Sequence, residues 1–246
     1  RDLYTTYSNV LSSDSRKNRD TAWMKHLQII DSTTITLFSN LLFKGVGRHP
    51  KTGKKKGGIK VHTVIHANEG VPSDIKFTSA ATNDSFMLRP SALNKGDIIT
   101  MDRAYIDYEK LETLTQREVL YVTKMKKNLK YNIIEDCMYQ TDKGLMEVRI
   151  QNVTFSKMLN DGKIMIHHAH IITYVDIKKH KLLSLLTNDM ESEPHEIIEI
   201  YRKRWEIELL FKQIKQNFPL KYFYVESANA IKIQSGVTLI ANLLLM

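Results

Sequence analysis

Hydrophobic and polar residues alternate along the segment 60–67, as they do in a half-exposed β-strand. Apolar runs predict four further strands: one within 26–37 that ends near Asp31, one at 75–81, one within 96–107 that ends at Asp102, and one at 118–126. Helices are expected after the cap residue Asn83 or Asp84 and over 108–116. This part of the chain therefore predicts the element order βββαβαβ.

The pattern changes after Lys127. Between residues 127 and 188, short alternating segments are separated by turn sequences such as "TDKG" and "NDGK", which predicts an antiparallel meander. A helix is then expected from about Glu193, because residues 196–216 contain no Gly or Pro and are rich in Glu, Lys, Leu and Ile. The whole order predicts the α/β class, with an all-β insertion between the fifth strand and this helix.

One face of the predicted helix is polar. At about 100° per residue, four side chains of different chemistry share a stripe about 60° wide: Tyr201, Arg204, Glu208 and Lys215. Four apolar residues are expected to anchor the helix, although the last of them falls on the face of the polar stripe: Ile207, Leu210, Ile214 and Phe211. Trp205 is expected in the core, and Glu206 faces away from Glu208 as a bystander. The polar stripe therefore marks a candidate functional surface.

The composition narrows the class of protein. The chain has 246 residues and is 42% hydrophobic, which is enough for a sizeable core. Its net charge of +9 favours a polyanionic partner, nucleic acid first. The single cysteine, Cys137, excludes an internal disulfide and a Cys-based zinc site. Without a signal peptide or a run of 18 apolar residues, a reducing cytoplasm is expected rather than a membrane. Because the chain starts at Arg1 rather than Met, we expect a piece of a longer protein.

The basic residues are concentrated in the segment 43–60. It contains seven Lys or Arg residues, no acidic residue and five of the ten glycines, which predicts a mobile basic loop. Four of its lysines are candidates for sequence-independent contacts with DNA: Lys54, Lys55, Lys56 and Lys60. A loop that is merely solvated is the alternative. The same two interpretations apply to a second group: Lys124, Lys126, Lys127 and Lys130.

Three acidic residues stand out by their positions. Asp31 and Asp102 are expected to close two strands, and Glu208 lies on the polar stripe. A single Asp at a strand end is usually a cap or a turn residue, which is the interpretation favoured for Asp84, Asp97 and Asp107. Three acids in this order, in a basic chain, favour a shared metal site instead. Carboxylates suit Mg²⁺ or Mn²⁺, and two such ions about 3.5–4 Å apart activate the attacking oxygen and stabilise the leaving oxygen of a phosphodiester.

The spacing Tyr201-x2-Arg204-x3-Glu208-x6-Lys215 resembles the Tyr-Arg-Glu-Lys signature of bacterial insertion-sequence transposases of the DDE type. The sequences "DST" at 31–33 and "DRAYID" at 102–107 resemble the segments that hold the first and second catalytic aspartates of that family. "GIKVH" at 58–62 and "LLTN" at 185–188 are also similar to the family. The resemblance extends from about residue 24 to residue 223.

The resemblance implies a ribonuclease-H-like fold, in which a mixed sheet is flanked by helices and interrupted by an all-β insertion. It divides the chain into four segments: a lead-in (1–22), the first part of the catalytic core (23–126), the β insertion (127–188) and the second part of the core with the glutamate helix (189–246). Strands one and four are neighbours in such a sheet, so Asp31 and Asp102 are expected to lie close together.

The resemblance also implies the site residues. Asp31, Asp102 and Glu208 would be the catalytic triad that binds metal, with two Mg²⁺ or Mn²⁺ ions expected when DNA is bound. Tyr201, Arg204 and Lys215 would grip the phosphates of the DNA end, and Arg103 is a further predicted DNA contact. Arginine offers a bidentate fork to a phosphate, lysine a point charge and tyrosine a hydroxyl donor.

The implied function is that of a bacterial cytoplasmic transposase that is associated with the nucleoid when bound to DNA. It would cut transposon ends by metal-assisted attack of water and join the 3′-hydroxyl to target DNA, as a homodimer on paired ends. No membrane and no small-molecule substrate are expected. Two alternatives are a ribonuclease-H-like nuclease without strand transfer and a DNA-binding transposase remnant without catalysis.

One departure from the family concerns tryptophan. Well-studied relatives use a Trp of the β insertion to stabilise a flipped base during hairpin formation, whereas Trp23 and Trp205 both lie outside residues 127–188. The resemblance therefore leaves the hairpin route open, with three candidate substitutes: Tyr131, Tyr139 and Tyr174.

Overall fold

The structure is a computed structural model that describes residues 23–36, 47–48, 57–70, 72–140, 147–176, 180–217 and 227–244. The predicted lead-in, and the candidate DNA contacts Lys54, Lys55 and Lys56, lie outside these ranges. None of the described helices is both long and apolar enough to cross a membrane.

The described residues form ten strands and four α-helices. The strands are β1 (Leu27–Thr36), β2 (Gly47–Arg48), β3 (Gly57–His66), β4 (Pro72–Ser79), β5 (Ile98–Met101), β6 (Leu120–Lys124), β7 (Asn132–Gln140), β8 (Glu147–Met158), β9 (Ile164–Asp176) and β10 (Lys181–Thr187). The helices are α1 (Tyr108–Gln116), α2 (Pro194–Lys203), α3 (Trp205–Asn217) and α4 (Ala228–Leu244). The chain divides into two compact units: unit 1 includes Ile30–Met87 and Trp205–Met246, and unit 2 comprises Asp20–Ile29 and Leu88–Arg204.

Unit 1 contains most of β1, the strands β2 to β4, and the helices α3 and α4. Strand β3 neighbours β1 and pairs antiparallel with β2 and β4. The core of the unit is formed by strand and helix residues that are almost fully buried: Ile35, Ile59, Val61, Ile65, Ile207, Leu210, Phe211, Ile214 and Ile231. The buried face of α3 follows from apolar residues three and four positions apart, which repeat on one side of a helix.

Unit 2 contains the strands β5 to β10 in the order β5-β6-β10-β9-β8-β7. Strands β5 and β6 are parallel, and the helix α1 connects them with Leu111 and Leu114 fully buried. The other strands of the unit pair antiparallel. The meander predicted for residues 127–188 is therefore confirmed, and its strands belong to the same compact unit as β5 and β6.

Strand β1 contributes residues to both units. Its first residues belong to unit 2, where the Ile98 N–H donates to the carbonyl of His26 over 2.9 Å. The predicted α/β class, with a mixed sheet flanked by helices, is confirmed.

The position of Asp31 differs from the prediction. The strand was expected to end near this residue, but β1 continues to Thr36 and Asp31 lies in its middle. The residues that follow, including Thr33, Thr34 and Ile35, are β-branched, and such residues favour the extended conformation.

The helix expected from Glu193 to Gln216 is divided into α2 and α3 by one residue, Arg204. Its φ of −53° and ψ of −25° remain helical, but its N–H bonds to the Tyr201 carbonyl, three residues back, at 3.1 Å. Such a bond tightens the last turn of a helix. The next residue, Trp205, is 53% exposed, so the expectation that it lies in the core is wrong.

Candidate functional site

Asp31 lies beside a polar network in unit 1. Its Oδ1 accepts the N–H of Ser32 at 2.7 Å, and the Ser32 hydroxyl donates to Asp84 Oδ1 at 2.5 Å. The ammonium of Lys60 lies 3.1 Å from the same Asp84 oxygen and donates to the Thr82 carbonyl at 2.7 Å. The network ties β1 and β3 to the segment that follows β4, and it holds the residue next to Asp31.

Lys60 is largely buried within this network, with 11% of its side chain exposed, against 22% for Asp84. Removing two charges from water costs desolvation energy, which is offset only when they are paired and hydrogen-bonded, as they are here. Since the ammonium is already occupied, Lys60 is better explained as a structural residue than as a contact for DNA phosphates.

A buried histidine lies close to the same pair of charges. His62 is fully buried, and its Nε2 is 2.8 Å from the Thr78 hydroxyl. Burial lowers the pKa of His62; the negative charge of Asp84 opposes this change, and the positive charge of Lys60 adds to it. The neutral imidazole is therefore favoured in the folded chain.

Asp102 lies in unit 2, directly after β5. It caps a short 3-10 helix, Arg103–Tyr105, because its Oδ1 accepts the N–H of Ala104 at 2.9 Å. The prediction that a buried strand ends at Asp102 is confirmed, since all four residues of β5 are buried. Arg103 is exposed and thus accessible to a ligand.

The residues of the polar stripe are divided between the units. Tyr201 and Arg204 belong to unit 2, where the Arg204 Cζ lies 5.7 Å from the centre of the Tyr201 ring, a cation–π distance. Glu208 and Lys215 belong to unit 1, and their spacing on α3 places them two turns apart on one face. The stripe is thus divided into Tyr201 on α2, Arg204 at the break between the helices, and Glu208 and Lys215 on α3.

Lys215 is exposed at the surface, while its side chain also lines a small apolar cavity of unit 1 with Phe211, Ile214 and the strand residue Val61. Desolvation lowers the pKa of its ammonium. An apolar stem with a charged end at the surface is common for lysine. Phe211 itself is 8% exposed and is confirmed as a core residue.

Among the residues that the structure describes, no three His, Cys, Asp or Glu side chains lie close enough together to hold a metal ion. Asp31 and Glu208 belong to unit 1, and Asp102 belongs to unit 2. As donors, the three carboxylates fit Mg²⁺ or Mn²⁺, which prefer hard oxygen ligands. The metal triad therefore remains a prediction.

A second buried network lies in unit 2. The Nδ1 of His167 lies 2.8 Å from Glu112 Oε2, and its Nε2 lies 2.7 Å from the Tyr121 hydroxyl. Burial lowers the pKa of His167, although Glu112 opposes this effect, and burial raises the pKa of Tyr121. Neither buried network is predicted from the sequence, because the residues that form each one are distant along the chain. For the Lys60–Asp84 network, the available signal is the alternation in β3, which places Lys60 and His62 on one face.

The three tyrosines proposed to replace the missing tryptophan differ in their surroundings. Tyr174 is buried, and the Tyr139 hydroxyl donates to Glu193 at 2.6 Å. Tyr131 is exposed, with its ring centre 5.8 Å from that of Phe155. Tyr131 is therefore the most accessible of the three for stacking on a base.

Over residues 23–244 the sequence matches the family described as the transposase DDE domain. The chain belongs to the DDE transposase family. The resemblance to insertion-sequence transposases of the DDE type is thereby confirmed, whereas membership of the Tyr-Arg-Glu-Lys group stays a prediction.

Curated relatives include a protein of Sinorhizobium fredii named as a transposase, which is 28% identical over 89% of this chain and 60% of its own length. A protein of Geobacillus stearothermophilus, named as a transposase for insertion sequence element IS5377, is 23% identical over 96% of this chain and 60% of its own length. A Synechocystis protein, named as a transposase for insertion sequence element IS4SA, is 24% identical over 88% of this chain and 58% of its own length. This DDE transposase chain thus spans about three fifths of the length of the relatives it matches.

A solved structure is similar in fold. The piggyBac transposase, in a cryo-EM structure of its synaptic complex with hairpin DNA, matches 89% of this chain and 45% of its own chain with a TM-score of 0.51 at 10% identity. At this identity the similarity concerns the fold, and it confirms the ribonuclease-H-like expectation for the DDE transposase chain.

Proposed function

We propose that this chain is the catalytic part of a DNA transposase that cuts the ends of an insertion sequence and transfers the 3′-hydroxyl to target DNA. The match to the DDE transposase family over residues 23–244 carries this proposal. It is supported by the names of the relatives, two of which refer to insertion sequence elements. The net charge of +9 fits a polyanionic substrate.

The catalytic residues we propose are Asp31, Asp102 and Glu208. They would hold divalent metal, two Mg²⁺ or Mn²⁺ ions with DNA bound. Such ions activate an attacking oxygen and stabilise the leaving oxygen of a phosphodiester. The three carboxylates follow the family's order of two aspartates and one glutamate. By holding the metal ions, they would determine where the scissile phosphate binds.

The DNA end would be held by Tyr201, Arg204 and Lys215, which lie near Glu208 along the chain. Arg204 offers a bidentate fork for a phosphate and Tyr201 a hydroxyl donor. The pKa of Lys215 is lowered by desolvation, and a bound phosphate would favour its charged form. Arg103, Lys54, Lys55 and Lys56 would add contacts that do not depend on sequence, whereas Lys60 is left out because of its bond with Asp84.

The proposed partners are transposon-end and target DNA, and the proposed assembly is a homodimer on paired ends. The protein would act in the bacterial cytoplasm, associated with the nucleoid when DNA is bound. No small-molecule substrate is proposed.

The test compares wild-type full-length protein with Glu208→Gln on the end DNA of its element in the presence of Mg²⁺. Cleavage and joining are measured on gels. Substitution of a residue that hydrogen-bonds to a metal ligand typically reduces activity by roughly 10–100-fold. Loss of a metal ligand itself is expected to reduce cleavage by more than this. Glu206→Gln, the same change two residues earlier on α3, is the matched control and should retain activity.

Each other outcome has a defined meaning. Persistent cleavage by Glu208→Gln contradicts the triad. Cleavage by the wild type without joining favours a nuclease, and binding without cleavage favours a transposase remnant.

A further inference from the structure

Unit 2 contains a basic pocket of about 460 Å³ at the end of β6 and the start of β10. Its volume lies within the range of about 300–1,000 Å³ that is usual for ligand pockets. Five cationic side chains line it: Arg103, Lys124, Lys126, Lys127 and Lys181. The described residues that line this pocket include no aspartate or glutamate.

The strands fix the positions of two of these cations, Lys124 and Lys181. Parallel pairing places Met101 of β5 opposite Thr123 of β6, so both strands end at the same edge of the pocket. Antiparallel pairing places Leu185 of β10 opposite Lys124, and the Met125 N–H donates to the Ser184 carbonyl at 2.9 Å. Lys124 and Lys181 therefore lie on paired strands, whereas Arg103, Lys126 and Lys127 closely follow the ends of β5 and β6.

The chemistry of the pocket suits a sugar–phosphate chain. Five cations repel one another, and a polyanion relieves this repulsion along its length, which a single small anion does only in part. Leu182 also lines the pocket and is 69% exposed, so an apolar surface lies among the charges. Phosphate oxygens would meet the cations, and deoxyribose carbons would meet Leu182.

The location connects the pocket to the proposed chemistry. Arg103 belongs to the pocket and directly follows Asp102, the first residue after β5. A DNA strand lying in the pocket would therefore pass beside this carboxylate.

We propose that the basic pocket binds the backbone of the DNA strand that passes Asp102, without regard to base sequence. The inference rests on the proposed function, and it adds Lys124, Lys126, Lys127 and Lys181 to the DNA contacts. Lysine contacts to phosphates position DNA but carry no sequence information.

The test uses full-length protein and a short labelled DNA duplex of unrelated sequence, in EDTA so that no cleavage occurs. Affinity is measured by fluorescence anisotropy at several salt concentrations between about 50 and 200 mM, the range over which phosphate contacts are strongly screened. The variant is the double change Lys127→Gln and Lys181→Gln, at two exposed lysines of the pocket. Its matched control is Lys95→Gln and Lys163→Gln, which removes the same charge from exposed lysines paired with Glu118 and Asp161.

The pocket variant should bind DNA at least about tenfold more weakly than the wild type. The slope of log affinity against log salt concentration should decrease in magnitude by about 0.9 for each phosphate that the protein no longer neutralises. The control should keep the slope of the wild type. Thermal unfolding should be unchanged in both variants, because the substituted side chains lie at the surface.

Equal weakening in the two variants overturns the pocket while leaving the transposase proposal intact. Failure of the wild type to bind DNA contradicts the proposed function and the inference with it. Displacement of DNA by inorganic phosphate, at an ionic strength where sodium chloride has no effect, identifies a free-anion site instead and overturns the backbone assignment.

Discussion

Lysines near the two proposed catalytic aspartates lie in opposite environments. Near Asp31, Lys60 is buried and bonded to Asp84 and to a backbone carbonyl. Beyond Asp102, Lys127 and Lys181 are exposed in a pocket that gathers five cations. The difference teaches that burial and pairing, rather than residue type, decide whether a lysine supports the fold or is available to a ligand.

The largest effect is expected for Asp84→Ala, because it leaves the Lys60 ammonium largely buried without its carboxylate. Breaking a buried ion pair costs about 3–5 kcal/mol, and since both side chains are partly exposed we expect about 3 kcal/mol. Urea unfolding measures the loss. The matched control is Asp74→Ala. Its pair with Lys76 is longer, at 3.9 Å, and the Asp74 side chain is 46% exposed, so the change should cost under about 1 kcal/mol. Equal losses of unfolding free energy in the two variants would contradict the inference that the Lys60–Asp84 pair stabilises the fold more than the Asp74–Lys76 pair.

A smaller effect is expected for Lys60→Met, which keeps much of the side-chain volume and leaves Asp84 bonded to Ser32. We expect a loss of about 1–2 kcal/mol, comparable to that of a hydrogen bond to a charged group. The same change at the exposed Lys127 should alter the free energy of unfolding by no more than about 0.5 kcal/mol, as is usual at the surface. DNA binding should respond in the reverse order: Lys127→Met weakens it and Lys60→Met does not. The opposite ranking in either measurement would contradict the assigned roles.

The smallest effect concerns His62, which lies beside the buried pair. Because its pKa is lowered in the folded chain, the unfolded chain binds more protons as the pH falls below about 6.5, and the free energy of unfolding decreases with acid. His62→Asn removes this proton uptake, so the stability of the variant should fall less than that of the wild type between neutral and mildly acidic pH. Urea unfolding over this pH range measures it, and parallel pH profiles would show that His62 does not titrate as inferred.

Much of the sheet could be predicted because alternation of apolar and polar residues is typical of extended chain. The pattern at 60–67 located β3, and the turn sequences after Lys127 located the meander. The expectation that β3 is half-exposed is wrong, because the polar residues Lys60, His62 and Thr63 are buried. The true length of β1 was missed because the polar Asp31 and Ser32 interrupt its apolar run, although the β-branched residues beyond them continue the strand.

The site was less predictable than the fold. The order of acidic residues along the chain indicated the candidates Asp31, Asp102 and Glu208. This order does not show which hydrogen bonds and ion pairs the residues beside them form. Lys60 was assigned to DNA because it follows a run of lysines, and its bond to Asp84 depends on how β3 lies against the segment after β4. The break between α2 and α3 at Arg204 was not predicted, because residues 196–216 contain no Gly or Pro.

The division of the chain into units has a consequence for its synthesis. Unit 2 ends at Arg204, whereas unit 1 needs both Ile30–Met87 and the segment from Trp205 onward. Since chains emerge from the ribosome N-terminus first, and compact units tend to fold as they emerge, the surroundings of Asp102 can form before Glu208 has been translated. The first strands of unit 1 must meanwhile wait for α3 and α4, so the proposed cutting machinery cannot be completed on a nascent chain that ends at Arg204.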